Sequence, residues 1–229
     1  MERAQWWAGE AGPTLRLRAN SDALNPRFKT FRLDDSRTPS TVRRMNSSPT
    51  TSIRFGNTAI ALHWLVALLI FGGWGLGFYM TDLKLSPEKL KLYSWHKWIG
   101  ITVLILACLR AAWRMTHPAP PANPAHPLWQ RRAASLAHGA LYVLMFAIPL
   151  SGWMFSSASG YPVKYLGLVP LPDLVAKSKE LAGLLKETHE VLGWLLVLVL
   201  GAHMGGALQH HFIHRDDTLA RMLPWVGRN

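Results

Sequence analysis

At 229 residues, 49% of them apolar and only 17% charged, the chain has the composition of a protein embedded in lipid, not that of a water-soluble domain. Its net charge of +12 invites a nucleic-acid reading. The cations, however, sit in blocks between long uncharged runs, with no reading helix or aromatic single-strand platform outside them, so no nucleic-acid partner is expected.

In chain order, residues 1–52 are polar, rich in Ser, Thr, Pro and Arg, and lack a sustained period, which predicts a disordered N-terminal arm. The arm has no continuous apolar core of a secretory signal. Its Glu2, Glu10, Asp22, Asp34 and Asp35 fit a transit peptide poorly. Met45 is an alternative start, and a mass measurement on purified protein distinguishes the two.

Residues 53–224 are expected to form a transmembrane domain with helices at about 58–80, 95–115, 135–157 and 188–211, each near the ~20 residues needed to span hydrocarbon. Helix 1 has Asn57 and Thr58 as candidate N-caps. Between helices 2 and 3, the proline-rich run from His117 to Pro127 must be extended. The loop over 159–186 carries an apolar patch at 166–175 that can lie on the membrane surface, and an amphipathic tail follows helix 4. The fold class is therefore all-α, an integral membrane four-helix bundle in contact with membrane lipid.

Topology explains the basicity. With a cytoplasmic N-terminus, ten cations up to Arg54, four around the second loop (Arg110, Arg114, Arg131, Arg132) and three in the tail (Arg215, Arg221, Arg228) lie inside. Eight lysines, among them Lys84, Lys89, Lys91 and Lys97, lie outside. The positive-inside rule then places both termini in the cytoplasm of a multi-pass bacterial inner-membrane protein.

Five histidines fall on the helices: His63, His96, His138, His189 and His203. An ionisable group buried in a membrane helix is a functional candidate, because leaving it unpartnered is costly. His189 and His203 are 14 residues apart, close to four helical turns, so both face one side about 21 Å apart along the axis. That distance implies two separate sites. Depth pairs His96 with His189 on the outer side, and His203 with either His63 or His138 on the inner side. Facing neutral imidazoles supply the two axial positions of a six-coordinate haem, an arrangement suited to electron transfer. The lone Cys108 excludes covalent attachment through paired thiols. The remaining histidines (His117, His126, His210, His211, His214) read as solvated loop and tail residues.

Glycines at 72, 73, 75, 77, 100, 193, 201, 205 and 206 can provide the small surfaces that a flat group between helices needs, though close helix packing uses them as well. Arg110, Arg114 and Lys97 can neutralise haem propionates or serve as snorkelling anchors.

With these residues in view, the chain resembles the bacterial cytochrome b561 family, related to the cytochrome b subunits of nickel-iron hydrogenases and formate dehydrogenases. The resemblance rests on Ala-Leu-His-Trp-Leu (61–65), Trp-His-Lys-Trp-Ile-Gly (95–100), His-Gly-Ala-Leu-Tyr (138–142), Pro-Leu-Ser-Gly-Trp (149–153), His-Glu-Val-Leu-Gly (189–193) and the tail over 210–222. It implies two b haems, one on His96 and His189 and the other on His63 and His203, with His138 near a propionate or a quinone. It also implies electron exchange with ubiquinone. The donor would be diffusible or a separate subunit on the periplasmic side, superoxide among the candidates. The competing expectation is a membrane-anchor subunit of a hydrogenase or dehydrogenase, and a homodimer is a further option.

Overall fold

The computed structural model describes residues 54–121 and 126–223; the N-terminal arm with Met45 lies outside the described residues. Four helices follow in order, α1 (Asn57–Thr81), α2 (Pro87–Thr116), α3 (Leu128–Ala158) and α4 (Lys179–Gln209). All four are long and apolar enough to cross a membrane. The chain is therefore mostly helical and polytopic.

α2, α3 and α4 start earlier than hydropathy implies, α2 and α4 because their first turns are polar and capped. Ser86 accepts the Lys89 N–H at 3.2 Å, with Pro87 at the first helical position and Glu88 beside the positive end of the helix dipole. Ser178 does the same for Leu181 at 3.2 Å, with Glu180 in the first turn of α4. α3 begins directly after Pro127. α1 differs from expectation at its cap: Asn57 and Thr58 are already helical, and Gly56 precedes them without a side-chain cap bond.

Consecutive helices pack together, α1 on α2, α2 on α3 and α3 on α4. Their common centre is Val66, Ala107 and Met145, covered by Ile70, Leu106, Tyr142 and Phe146. Ala107 is fully buried because three helices meet over its methyl group. Elsewhere the large side chains point outward, among them Leu68, Phe78, Leu136, Val143, Val191 and Leu198. Lipid is as apolar as leucine, so exposing them to it carries no penalty, and close packing of small residues has to hold the helices together instead.

The loop after α3 is not structureless. β1 (Lys164–Tyr165) and β2 (Val169–Pro170) form a small antiparallel hairpin, turned at Leu166 and Gly167, which both have positive φ. The hairpin is fastened to α2: Trp98 Nε1 donates to the Lys164 carbonyl at 2.7 Å, and the Thr102 and Tyr165 hydroxyls are 3.0 Å apart.

At the opposite end of the bundle, α4 closes in a π-helical turn over His210–His214. The tail then folds back, with Trp64 Nε1 donating to the Met222 carbonyl at 2.8 Å and Arg221 Nη1 to that of Pro121 at 3.3 Å. Burial alone would raise the Asp216 carboxyl in this tail. Hydrogen bonds from Thr218 and His210 outweigh it and hold the group at about 2, below its ordinary 3.8. The stabilisation it gives the tail is therefore complete above pH 3.8 and lost as the pH falls toward 2.

Enlarging the shared centre tests this packing. Ala107→Leu is expected to destabilise the bundle by about 1–3 kcal/mol through overpacking. The same measurement, thermal unfolding in detergent, should register little change for the lipid-facing Leu136→Phe.

Candidate functional site

The histidines of α1, α2 and α3 reach toward α4 at two levels. His96 of α2 faces His189 of α4, with ring centroids 6.0 Å apart and planes at 84°. His203, four turns further along α4, has two neighbours: His63 of α1 at 6.3 Å and His138 of α3 at 5.1 Å. The His96/His189 level lies toward the hairpin, while the His63/His203 level lies toward the tail. α1 and α4 lack the close backbone approach of sequential helices. Between them run the His63/His203 pair and an edge-to-face contact of Trp74 with Trp194, centroids 5.9 Å apart.

Each ring of the first pair is oriented by a neighbouring helix through the same device. His96 Nδ1 lies 3.0 Å from the Gly73 carbonyl, and His189 Nδ1 lies 3.1 Å from both the Ile148 carbonyl and Ser151 Oγ. A carbonyl can only accept, so each Nδ1 carries the proton. Each Nε2 then presents its lone pair. Ser151 Oγ spends its own hydrogen on the Ile148 carbonyl at 2.8 Å, leaving it free to accept from His189.

One helical turn beyond each accepting carbonyl stands a glycine. A Cβ on Gly77 would come within 3.0 Å of His96 Cε1, and one on Gly152 within 2.9 Å of His189 Cε1. Each ring approaches bare backbone with its Cε1 nearest. Among the other glycines singled out from sequence, Gly73 abuts Ile99, whereas Gly72, Gly75, Gly100, Gly193, Gly201, Gly205 and Gly206 have open space beside them. Gly152 was legible only as part of a motif, and its four-residue spacing from Ile148 is the signal that marks it.

The second level is electrostatically different. Arg110 donates from Nη1 to His63 Nδ1 at 3.2 Å and from Nε to the Tyr142 hydroxyl at 3.0 Å, with its guanidinium over the Tyr142 ring. Arginine only donates, so His63 accepts at Nδ1 and its ring proton sits on Nε2. This is the reverse of the tautomer at His96 and His189. Tyr142 was not among the sequence candidates. Lys97, by contrast, points away from the imidazoles and donates from Nζ to the Tyr161 carbonyl at 3.2 Å, bracing the loop.

These groups can be compared with what a bis-imidazole haem requires. Two coaxial metal–nitrogen bonds of about 2 Å plus the depth of each ring put the centroids roughly 6 Å apart. The 6.0 and 6.3 Å pairs suit this, and the 5.1 Å His138/His203 contact is too short for it. Nε2 is available as it stands at His96 and His189. At His63 it becomes available once Arg110 releases Nδ1.

The chain is similar to known proteins over most of its length. The prokaryotic cytochrome b561 family matches residues 54–225. Cytochrome b561 homolog 2 of Escherichia coli (strain K12) is 37% identical over 174 residues, covering 76% of this chain and 93% of its own length. Cytochrome b561 homolog 1 of the same organism is 34% identical over 176 residues, with 75% and 97% covered. A probable superoxide oxidase CybB from Yersinia pestis is 31% identical over 170 residues, with 72% and 93% covered.

The glycine floor gives a direct test. Gly152→Ala is expected to push the His189 ring off its carbonyl and lower the haem bound per chain, read by pyridine haemochrome assay. Gly183→Ala, on the exposed first turns of α4 where a Cβ meets nothing, should leave haem content unchanged.

Proposed function

The chain belongs to the prokaryotic cytochrome b561 family of membrane electron-transfer cytochromes, and we propose that it carries two b haems in series and moves electrons between a periplasmic donor and the quinone pool. The observation that supports this best is the two facing imidazole pairs, 6.0 and 6.3 Å across, at separate levels of one bundle. In this reading His96 and His189 hold the outer haem, and His63 and His203 hold the inner one. Bound there, the haems would supply one-electron transfer across the bilayer.

The protein's own groups do the rest. The carbonyls of Gly73 and Ile148 keep Nε2 of the outer histidines unprotonated and aimed inward. With two of these four imidazoles holding each haem, no position would be left open to oxygen, and the chemistry the haems supply would be electron transfer. Arg110 places a fixed positive charge at the inner level, available to a propionate, and His138 borders that level. The positive-inside rule puts this level, the tail and the second loop in the cytoplasm.

Superoxide is the donor this reading favours. Lys84, Lys89, Lys91 and Lys97 surround the start of α2, at the outer end, and a positive rim raises the encounter rate of a small anion. The relative from Yersinia pestis named a probable superoxide oxidase points the same way. Each superoxide would surrender a single electron and leave as dioxygen, and ubiquinone would take up a pair of electrons with protons from water.

Reduced-minus-oxidised spectra with haem counting test the assignment. Wild type is expected to carry two haems per chain, His63→Ala, His203→Ala, His96→Ala and His189→Ala one each, and His138→Ala two. A colourless wild type, or loss of a haem in His138→Ala with retention in His63→Ala, would overturn it. A redox titration adds an independent check. Arg110→Gln should shift the inner haem to a more negative midpoint potential, since a neighbouring cation stabilises the reduced form, and leave the outer haem in place.

A further inference from the structure

His126 stands at the end of the α2–α3 connection, just before Pro127, and His210 opens the π-helical turn that closes α4. Sequence reading left both as solvated, yet they converge on one atom. Oδ2 of Asp216 lies 2.6 Å from Nδ1 of His210 and 3.0 Å from Nε2 of His126. The imidazole centroids are 4.6 Å apart, and one ligand atom from each of the three residues lies within 4.8 Å of the others. All three residues are half-buried.

The backbone is shaped to bring the carboxylate back. Arg215 adopts the left-handed region at φ 51°, ψ 45°, which costs a non-glycine residue about 1 kcal/mol. That turn returns the Asp216 N–H to the His210 carbonyl at 3.2 Å. Oδ1 of Asp216 accepts the Thr218 N–H at 2.8 Å, so the carboxylate is oriented with Oδ2 toward both imidazoles. π-Helical turns and left-handed non-glycine residues concentrate where function requires an otherwise unfavourable backbone.

We propose that His126, His210 and Asp216 form a binding site for a divalent transition-metal ion, zinc foremost, which staples the α2–α3 connection to the C-terminal tail. Two imidazole nitrogens and one carboxylate oxygen are a borderline-soft donor set suited to zinc, with a fourth position left for water. In a tetrahedron with bonds of about 2.1 Å the donors stand roughly 3.4 Å apart. The observed 2.6 and 3.0 Å therefore need to open by less than an ångström as the ion takes the place of the shared ring protons. The segments to be joined are already in contact, since Arg221 bonds the Pro121 carbonyl. None of its three residues is a proposed axial histidine, His210 standing beyond His203 where α4 gives way to the π-helical turn, and the site stands whether or not their assignment holds.

The test uses the full-length protein in detergent, stripped with a chelator and titrated with Zn²⁺ against a chromophoric competitor. One tight zinc per chain is expected, weakened roughly tenfold or more in His126→Asn and in Asp216→Asn, with a zinc-dependent rise in thermal midpoint that both variants lose. His117→Asn, whose ring in the same connection stacks on Trp113, should bind as wild type does. Equal zinc affinity in wild type and both variants would show a purely proton-held His–Asp–His cluster and overturn the site, as would zinc binding that His63→Ala or His203→Ala abolishes. Should Asp216→Asn fail to fold, judged by helical circular dichroism, His126→Asn decides alone.

Discussion

A neutral imidazole placed in hydrocarbon has a donor and an acceptor to satisfy, and no water to satisfy them with. That constraint shapes the bundle. At His96 and His189 the donor is given to a carbonyl on the neighbouring helix, and this settles the ring's direction, its tautomer and how close the two backbones come. A ring bonded to a carbonyl must lie along the next turn of that helix, where any side chain would collide with it. The glycines at 77 and 152 follow from the hydrogen bonds at 73 and 148, one turn earlier in each case. Helix spacing, glycine position and the exposed Nε2 lone pair are thus consequences of one requirement.

The fold was legible in the sequence to the extent that hydropathy determines it. Four long apolar runs, the second carrying Arg110 and Arg114 toward its end, have the length and composition of spans, and their number and order follow. What hydropathy cannot register is the polar turn that continues a helix into water. Ser86 and Ser178 are capping signals, and reading them would have moved the starts of α2 and α4 to their observed positions. The hairpin over 164–170 escaped because its turn uses Leu166 at positive φ where asparagine or glycine would announce it.

Of the site, sequence showed which histidines share a level, since helical pitch and span direction are enough for that. It left His63 and His138 as competing partners of His203, because depth alone is blind to rotation about a helix axis. The structure places both rings beside His203, at 6.3 and 5.1 Å, and the choice of His63 belongs to the proposed reading. Tyr142 was missed for the same reason: its role exists only through Arg110, a residue on another helix. Contacts made by a loop and a tail, such as His126 and His210 on one carboxylate, are further still from anything a linear spacing can express.

The two levels differ in a way that bears on the direction of electron flow. The His96/His189 rings are held by neutral backbone dipoles and a serine, whereas His63 is in direct contact with a guanidinium at 3.2 Å. A full positive charge in a medium of low polarity stabilises an added electron nearby far more than dipoles of mixed orientation do, and solvent that could screen it is scarce inside the bundle. In the proposed reading, an electron entering at the lysine-rimmed end would find its lower free energy at the other level. Arg110 cannot simply be an anchor snorkelling to the interface, since both its Nε and Nη1 are committed to side chains within the bundle. The inner tautomer fits this proposal: for His63 to ligate through Nε2 the bond that holds it by Nδ1 would have to be released, which would free the guanidinium for an anionic partner at the same level. Charge placement thus gives the bundle a polarity that its near-symmetric pairs of histidines lack.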